Sequence, residues 1–89
     1  EKQIVVVQGH AEAFIDCPAD LLIANIHYNV MQKLICAKGF STQKRFILSG
    51  LLRREAKQVR IELERLSAKI LKCWTHEGIW HTFYGQIGN

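Results

Sequence analysis

Three polar residues lie at the end of an apolar run in the first third of the chain, and their types suit the binding of an amine. The run extends from Leu21 to Ile26 and includes Asn25, and His27 and Tyr28 follow directly. Parallel sheets bind ligands at the carboxyl ends of their strands. There, the side-chain oxygen of Asn25 and the backbone carbonyls of Asn25 and Ile26 can accept hydrogen bonds from an amine. The alternative is that Asn25 only ends the strand and begins a turn.

His27 and Tyr28 are predicted substrate contacts, and each has a second interpretation. The imidazole of His27 titrates near neutral pH and suits a general base, or it is an exposed side chain without a chemical role. The ring of Tyr28 can lie against a cofactor or a substrate lysine, or it packs under the helix that follows.

The sequence predicts no metal site. Its four histidines are at positions 10, 27, 76 and 81, and its three cysteines are at positions 17, 36 and 73. His76 and His81 can face each other on a hairpin beside Glu77, but the chain has neither paired cysteines nor a two-histidine helix motif. The odd number of widely spaced cysteines argues against a disulfide framework and favours a reducing compartment, the cytoplasm.

A basic segment and two tryptophans are further candidates for partner contacts. The basic side chains of residues 53–60 lie on one face of a predicted helix, where they contact RNA or an acidic protein, or are simply solvated. Trp74 and Trp80 flank a predicted turn, and we expect both to pack as core, with Cys73 as a small buried hydrophobe. The sequence shows no aromatic and basic platform of the kind that RNA-binding modules use, so nucleic acid is not an expected partner.

Length and composition limit the kind of protein. The 89 residues, of which 48% are hydrophobic and 22% charged, fit a single small domain over residues 1–89 and exclude a disordered chain. The net charge of +4 permits an acidic or nucleic-acid partner without requiring one. No apolar run approaches the roughly 18–20 residues of a membrane span, and we expect no signal peptide.

Hydrophobic periodicity predicts five strands and two helices. The helix over 53–67 has the clearest pattern, with apolar residues spaced by three and four. Continuous apolar runs are typical of parallel strands that are covered on both faces, and a short connection with Gly predicts an antiparallel hairpin at the C-terminus. The fold class is therefore α/β with a mostly parallel sheet. The strands are predicted at 4–7, 20–26, 45–49, 68–74 and 79–85, and the helices at 29–38 and 53–67.

The order of these elements resembles the C-terminal half of class I S-adenosylmethionine-dependent methyltransferases. Three local patterns carry the resemblance: residues 19–26 with their final Ala-Asn-Ile, residues 45–52 with Leu-Ser-Gly-Leu-Leu before the amphipathic helix, and the closing stretch 77–84. Together they most resemble the ribosomal-protein methyltransferase family (PrmA type), over residues 4–85.

The resemblance implies a partial Rossmann-like fold, S-adenosylmethionine as the cofactor, and amino groups of a protein, such as a large-subunit ribosomal protein, as methyl acceptors. It assigns Asn25 and Ile26 to catalysis, and Asn25 also to the cofactor. It places further cofactor contacts at Gly9, His10 and Ala11, where relatives usually have Gly-Asp-Ala. The six glycines include no Gly-x-Gly, so the family's Gly-rich cofactor loop has no counterpart. We therefore expect the chain to be the C-terminal part of the domain and inactive alone.

The resemblance also implies a strand order of 20–26, 45–49, 79–85 and 68–74, with the last strand of the chain inserted antiparallel. The strand at residues 3–8 must then pair with 20–26, find another molecule or stay unpaired. Because a Val-rich edge favours association, we expect a homodimer.

Two other functions stay open. The chain can be a non-catalytic methyltransferase-like remnant or small basic binding module, and an upstream Gly-rich segment in the same reading frame would favour the enzyme instead. It can also be a small nucleic-acid-binding domain, which salt-sensitive retention on RNA would distinguish.

Overall fold

The computed structural model describes residues 3–8 and 19–88, which form a five-stranded sheet and two α-helices. The chain is therefore of the α/β class. A 3-10 turn at Lys38–Thr42 follows the first helix. In chain order, the elements are β1 (Ile4–Val7), β2 (Leu21–Asn25), α1 (Tyr28–Cys36), β3 (Arg45–Leu51), α2 (Arg53–Arg65), β4 (Ala68–His76) and β5 (Trp80–Ile87).

The spatial order of the strands is β1-β2-β3-β5-β4. β2 pairs in parallel with both β1 and β3, whereas β5 pairs antiparallel with β3 and β4. The predicted order of the last four strands is confirmed, with β5 inserted between β3 and β4. The sheet is mixed rather than mostly parallel, because the C-terminal hairpin contributes both antiparallel pairings.

β1 pairs with β2, from Ile4 opposite Leu21 to Val7 opposite Ala24. This is the first of the three arrangements that the sequence left open. The strand is fixed at its beginning by Asp20, whose backbone N–H donates to the carbonyl of Gln3 at 2.9 Å. Within the part of the chain that the structure describes, β1 is an edge strand, and the homodimer stays a prediction.

The hydrophobic core lies between one face of the sheet and the two helices. Side chains alternate along a strand, so every second residue of β2 and β3 faces the helices. The fully buried residues of this core include Leu22, Ala24, Phe46 and Leu48 from the sheet, and Met31, Leu34, Val59 and Leu63 from the helices.

The opposite face of the sheet has no covering helix among residues 3–8 and 19–88. The Ile4 and Val6 side chains of β1 are 59% and 61% exposed on this face, and Ile23 and Ile47 are only half-buried. For the described residues, the prediction of strands covered on both faces is therefore wrong. We call this surface the open face and the other the covered face.

Both helices end earlier than their apolar patterns predict. α2 begins where the carboxylate of Glu55 accepts a hydrogen bond from the Leu52 N–H at 2.9 Å, and it ends before Ser67, whose φ of 60° is left-handed. α1 ends at Cys36 because Ala37 is extended. Of the helices in the described ranges, neither has the length and apolar character to cross a membrane.

Candidate functional site

The carboxyl ends of β2 and β3 and the first residues of α1 and α2 lie at one edge of the sheet, which we call the rim. Asn25, the last residue of β2, pairs with Ser49 of β3. α1 begins at Tyr28 and α2 at Arg53, each shortly after its preceding strand ends. The rim is therefore the edge at which α/β sheets bind ligands.

The side chain of Asn25 is exposed and lies on the open face of the rim. Its neighbour Ala24 is buried toward the helices, so the alternation of the strand directs Asn25 to the opposite side. Here the amide oxygen of Asn25 is accessible to a ligand and can accept a hydrogen bond.

Gly50 lies directly against the Asn25 side chain, and it was not among the site residues predicted from the sequence. A Cβ atom at this position would lie 2.7 Å from Oδ1 of Asn25 and 3.6 Å from the carbonyl oxygen of Ile26. The φ of Gly50 is +85°, a left-handed conformation that favours glycine. The detectable signal was an isolated glycine in a strand pattern, which is typical of a bulge or a close approach. The ladder between β3 and β5 does shift between Leu48 and Leu51.

Ile26 and His27 present fewer groups for contact with a ligand than their position in the sequence suggested. The Ile26 side chain belongs to the core, so only its backbone can contact a ligand. His27 is exposed and precedes α1, where its carbonyl accepts a hydrogen bond from the Met31 N–H at 2.8 Å. Its ring does not cap the helix.

Tyr28 packs against the core, which was the alternative interpretation of this residue. It is half-buried, and its hydroxyl accepts a hydrogen bond from the Gln32 side chain. It also borders a shallow cleft with Arg54 and Glu55 at the N-terminus of α2. The rim thus brings Asn25 and Tyr28 to the same edge, with Tyr28 on the helix side and Asn25 on the open face.

The predicted cofactor contacts Gly9, His10 and Ala11 lie outside the described residues. Their assignment to the cofactor stays a prediction.

The two histidines of the C-terminal hairpin do not face each other. His76 pairs with Trp80 and His81 pairs with Thr75, and neighbouring positions of a strand point to opposite faces. In the described part of the chain, no three His, Cys, Asp or Glu side chains are grouped so that they could hold a metal ion.

The basic side chains of α2 are exposed, and Arg60 among them contacts the hairpin. Its guanidinium lies 5.2 Å from the ring centroid of Phe83 and donates a hydrogen bond to Sγ of Cys73 at 3.2 Å. These contacts join α2 to the covered side of the C-terminal hairpin. Arg53 and Arg54 are exposed at the rim, where the Glu55 carboxylate accepts a hydrogen bond from the Leu52 N–H.

The predictions for Trp74, Trp80 and Cys73 are wrong. The two tryptophans are 44% and 43% exposed, and Cys73 is also exposed. The hairpin segment 71–80 is exposed throughout, and the two tryptophans lie on the open face, which has no covering helix among the described residues. Cys73 lies on the covered face, where its contact with Arg60 leaves it exposed.

Comparison with solved structures shows that the fold is methyltransferase-like. The structure is similar to that of a ribosomal protein L11 methylase from Lactobacillus delbrueckii subsp. bulgaricus, with a TM-score of 0.75 and 20% sequence identity. The similarity covers 91% of this chain and 43% of that protein, so the chain spans less than half of its length. No protein-family model matches the sequence. No curated protein matches it either.

Proposed function

We propose that this chain is the C-terminal part of an S-adenosylmethionine-dependent methyltransferase domain that methylates amino groups of a protein. The observation that carries the proposal is the exposed Asn25 at the carboxyl end of a parallel strand, in a fold similar to that of a ribosomal protein L11 methylase. The name of that methylase suggests a ribosomal protein as the substrate. We also propose that the chain has a partial Rossmann-like methyltransferase fold.

The proposed role of Asn25 and Ile26 is to orient the attacking amine. S-adenosylmethionine would supply an electrophilic sulfonium methyl group for transfer to the amine nitrogen. The nitrogen must be uncharged, with its lone pair directed at that carbon. The amide oxygen of Asn25 and the carbonyl oxygens of Asn25 and Ile26 accept hydrogen bonds from the amine. These acceptors align the lone pair and stabilise the positive charge that develops on nitrogen.

The space at Gly50 supports this role. A Cβ 2.7 Å from Oδ1 of Asn25 would force the amide out of its present position. Gly50 is therefore a positioning residue, because it leaves room for the Asn25 amide and contributes no functional group.

Calorimetric titration with S-adenosylmethionine, and separately with its demethylated product, tests the proposal. We expect saturable one-to-one binding to the 89-residue chain. Because the resemblance assigns Asn25 to the cofactor as well, Asn25→Ala should weaken binding by about 3- to 10-fold, the effect of one lost hydrogen bond. Gly50→Ala, which would displace the same amide, should weaken it at least as much. Binding is the appropriate measurement, because we do not expect methyl transfer from this chain alone.

Gly78→Ala is the matched control for Gly50→Ala. Gly78 also has a left-handed φ, of +68°, but an added Cβ there would have no atom within 4 Å. The Gly78→Ala variant therefore introduces similar backbone strain away from the rim, and it should leave the affinity for S-adenosylmethionine unchanged. No binding up to millimolar cofactor would mean that this chain alone is a scaffold half and that any activity belongs to a longer protein. Binding that neither rim variant weakens would contradict the role proposed for Asn25 and favour a non-catalytic module.

A further inference from the structure

The open face of the C-terminal hairpin carries three aromatic rings. Along the ladder of β4 and β5, Lys72 pairs with Tyr84, Trp74 with Thr82, and His76 with Trp80. These pairs are two residues apart on each strand, so their side chains share one face. The rings of Tyr84, Trp74 and Trp80 therefore alternate between the two strands along the open face.

Basic groups accompany these rings. The ammonium of Lys72 lies 5.2 Å from the ring centroid of Trp74, and the Arg45 guanidinium donates a hydrogen bond to the Tyr84 hydroxyl at 2.8 Å. The hairpin sequence from Ala68 to Ile87 contains one acidic residue, Glu77, which lies at the turn. The surface is therefore aromatic and positively charged.

We propose that this hairpin face binds single-stranded nucleic acid, with bases stacked on Trp74 and Trp80 and phosphates next to Lys72 and Arg45. Exposed aromatic rings with adjacent cations are how sheets bind single strands, because every base has a face that stacks. The net charge of +4 favours the approach of a polyanion. None of these residues belongs to the rim, and binding at this face does not depend on methyltransferase activity.

The charges favour a nucleic acid over an apolar protein partner on this face. A protein that covered the three rings would also bury Lys72 and Arg45, and uncompensated burial of a charge is strongly unfavourable. A single strand supplies one phosphate with each base, so bases can stack on the rings while phosphates pair with the cations.

Intrinsic fluorescence measures binding at this surface directly, because Trp74 and Trp80 are the two tryptophans of the chain. The probes are an oligouridylate and an oligothymidylate of about 12 nucleotides, within the range of known single-strand sites. We expect quenching by both and an affinity that falls with salt. Tighter binding of the oligouridylate would identify RNA as the occupant.

Three variants separate stacking from general charge. Trp74→Leu, with Trp80 as the reporter, should weaken binding by at least about fivefold, since a stacked ring is lost. Lys72→Gln should reduce the slope of log affinity against log salt by about 0.7, the value for one phosphate contact on a single strand. Lys57→Gln makes the same charge change on the exposed face of α2 and should leave that slope unchanged.

Three results would overturn the proposal. The first is that neither oligonucleotide quenches the tryptophan fluorescence. The second is that Lys72→Gln and Lys57→Gln reduce the slope of log affinity against log salt equally. The third is that the fluorescence changes with protein concentration when no oligonucleotide is present. Equal losses would mean that net charge attracts the probe without a defined site. A dependence on protein concentration would mean that a second copy of the chain covers the face. Circular dichroism of each variant establishes that the fold is retained.

Discussion

The two faces of the sheet belong to the same five strands, but they differ in how far their apolar residues are buried. Leu22 is fully buried on the covered face, whereas its neighbour Leu21 is only partly buried on the open face. Val6 is more than half exposed, although Val7 beside it is buried. Residue type is nearly constant in these pairs, so burial is determined by where α1 and α2 lie. The covered face contains the core that stabilises the fold, and the described residues leave the open face without a covering helix.

The largest expected difference between the faces is in the free energy of unfolding of two matched variants. Leu22→Ala removes a fully buried side chain and leaves a cavity beneath the helices, which should cost about 3–5 kcal/mol. Leu21→Ala should cost about 1 kcal/mol, because less of its surface leaves water on folding. Urea unfolding monitored by circular dichroism measures both. Equal losses would contradict the comparison and indicate that the open face is covered in solution.

The elements of the covered face could be predicted from the sequence, because their patterns are local. The apolar spacing from Leu52 to Leu66 predicted α2, and the turn residues between Trp74 and Trp80 predicted the hairpin. The exposure of those tryptophans could not be predicted, because it follows from their place on the open face, which has no covering helix among the described residues. Hydrophobicity alone favoured the core for both.

The rim was predictable only in part, for a related reason. The apolar run before Asn25 predicted its place at a strand end, which the structure confirms. The proximity of Gly50 to the Asn25 amide depends on the parallel register of β2 and β3, which no local pattern encodes. Asn25 and Tyr28 lie on different sides because Asn25 is the last residue of β2 and alternates to the open face, whereas Tyr28 is the first residue of α1.

The second prediction concerns how tightly the covered face is packed. Gly85 pairs with Phe46 in the ladder, and an added Cβ would lie 2.5 Å from Cζ of Phe46 and 2.5 Å from the Lys69 carbonyl oxygen. Because the ring is fully buried and cannot move away freely, Gly85→Ala should lower the free energy of unfolding by about 3 kcal/mol. Chemical denaturation measures the loss.

Gly78→Ala provides the comparison for this variant also. No atom lies within 4 Å of the Cβ it would add, so only the left-handed backbone conformation opposes the change, at about 1 kcal/mol. If Gly85→Ala cost no more than Gly78→Ala, the Phe46 ring would not fill the space at Gly85, and the covered face would be less tightly packed than we infer.

The smallest expected effect concerns the attachment of β1, whose Ile4 and Val6 side chains are more than half exposed on the open face. The Asp20 carboxylate accepts a hydrogen bond from the Gln3 N–H at 2.8 Å and lies 3.0 Å from the Lys44 ammonium. The hydrogen bond from Gln3, followed by the one from Lys44, holds the pKa of Asp20 below its usual value. A carboxylate with a lowered native pKa stabilises the fold above its unfolded-state pKa, about 3.9. That stabilisation is lost as the pH falls through the native pKa. Asp20→Asn should therefore reduce the free energy of unfolding at neutral pH.

The pH dependence of this loss shows whether the carboxylate charge holds β1 in place. The difference between Asp20→Asn and the unchanged protein should shrink as the pH falls below about 3.9, because both then have an uncharged group at this position. Lys44→Gln removes only the ion pair, whose lysine is 77% exposed, so its effect should be smaller than that of Asp20→Asn. Unfolding curves at several pH values measure both variants. A loss in Asp20→Asn that did not change with pH would mean that β1 is held by its backbone pairing with β2 and not by the charge at its beginning.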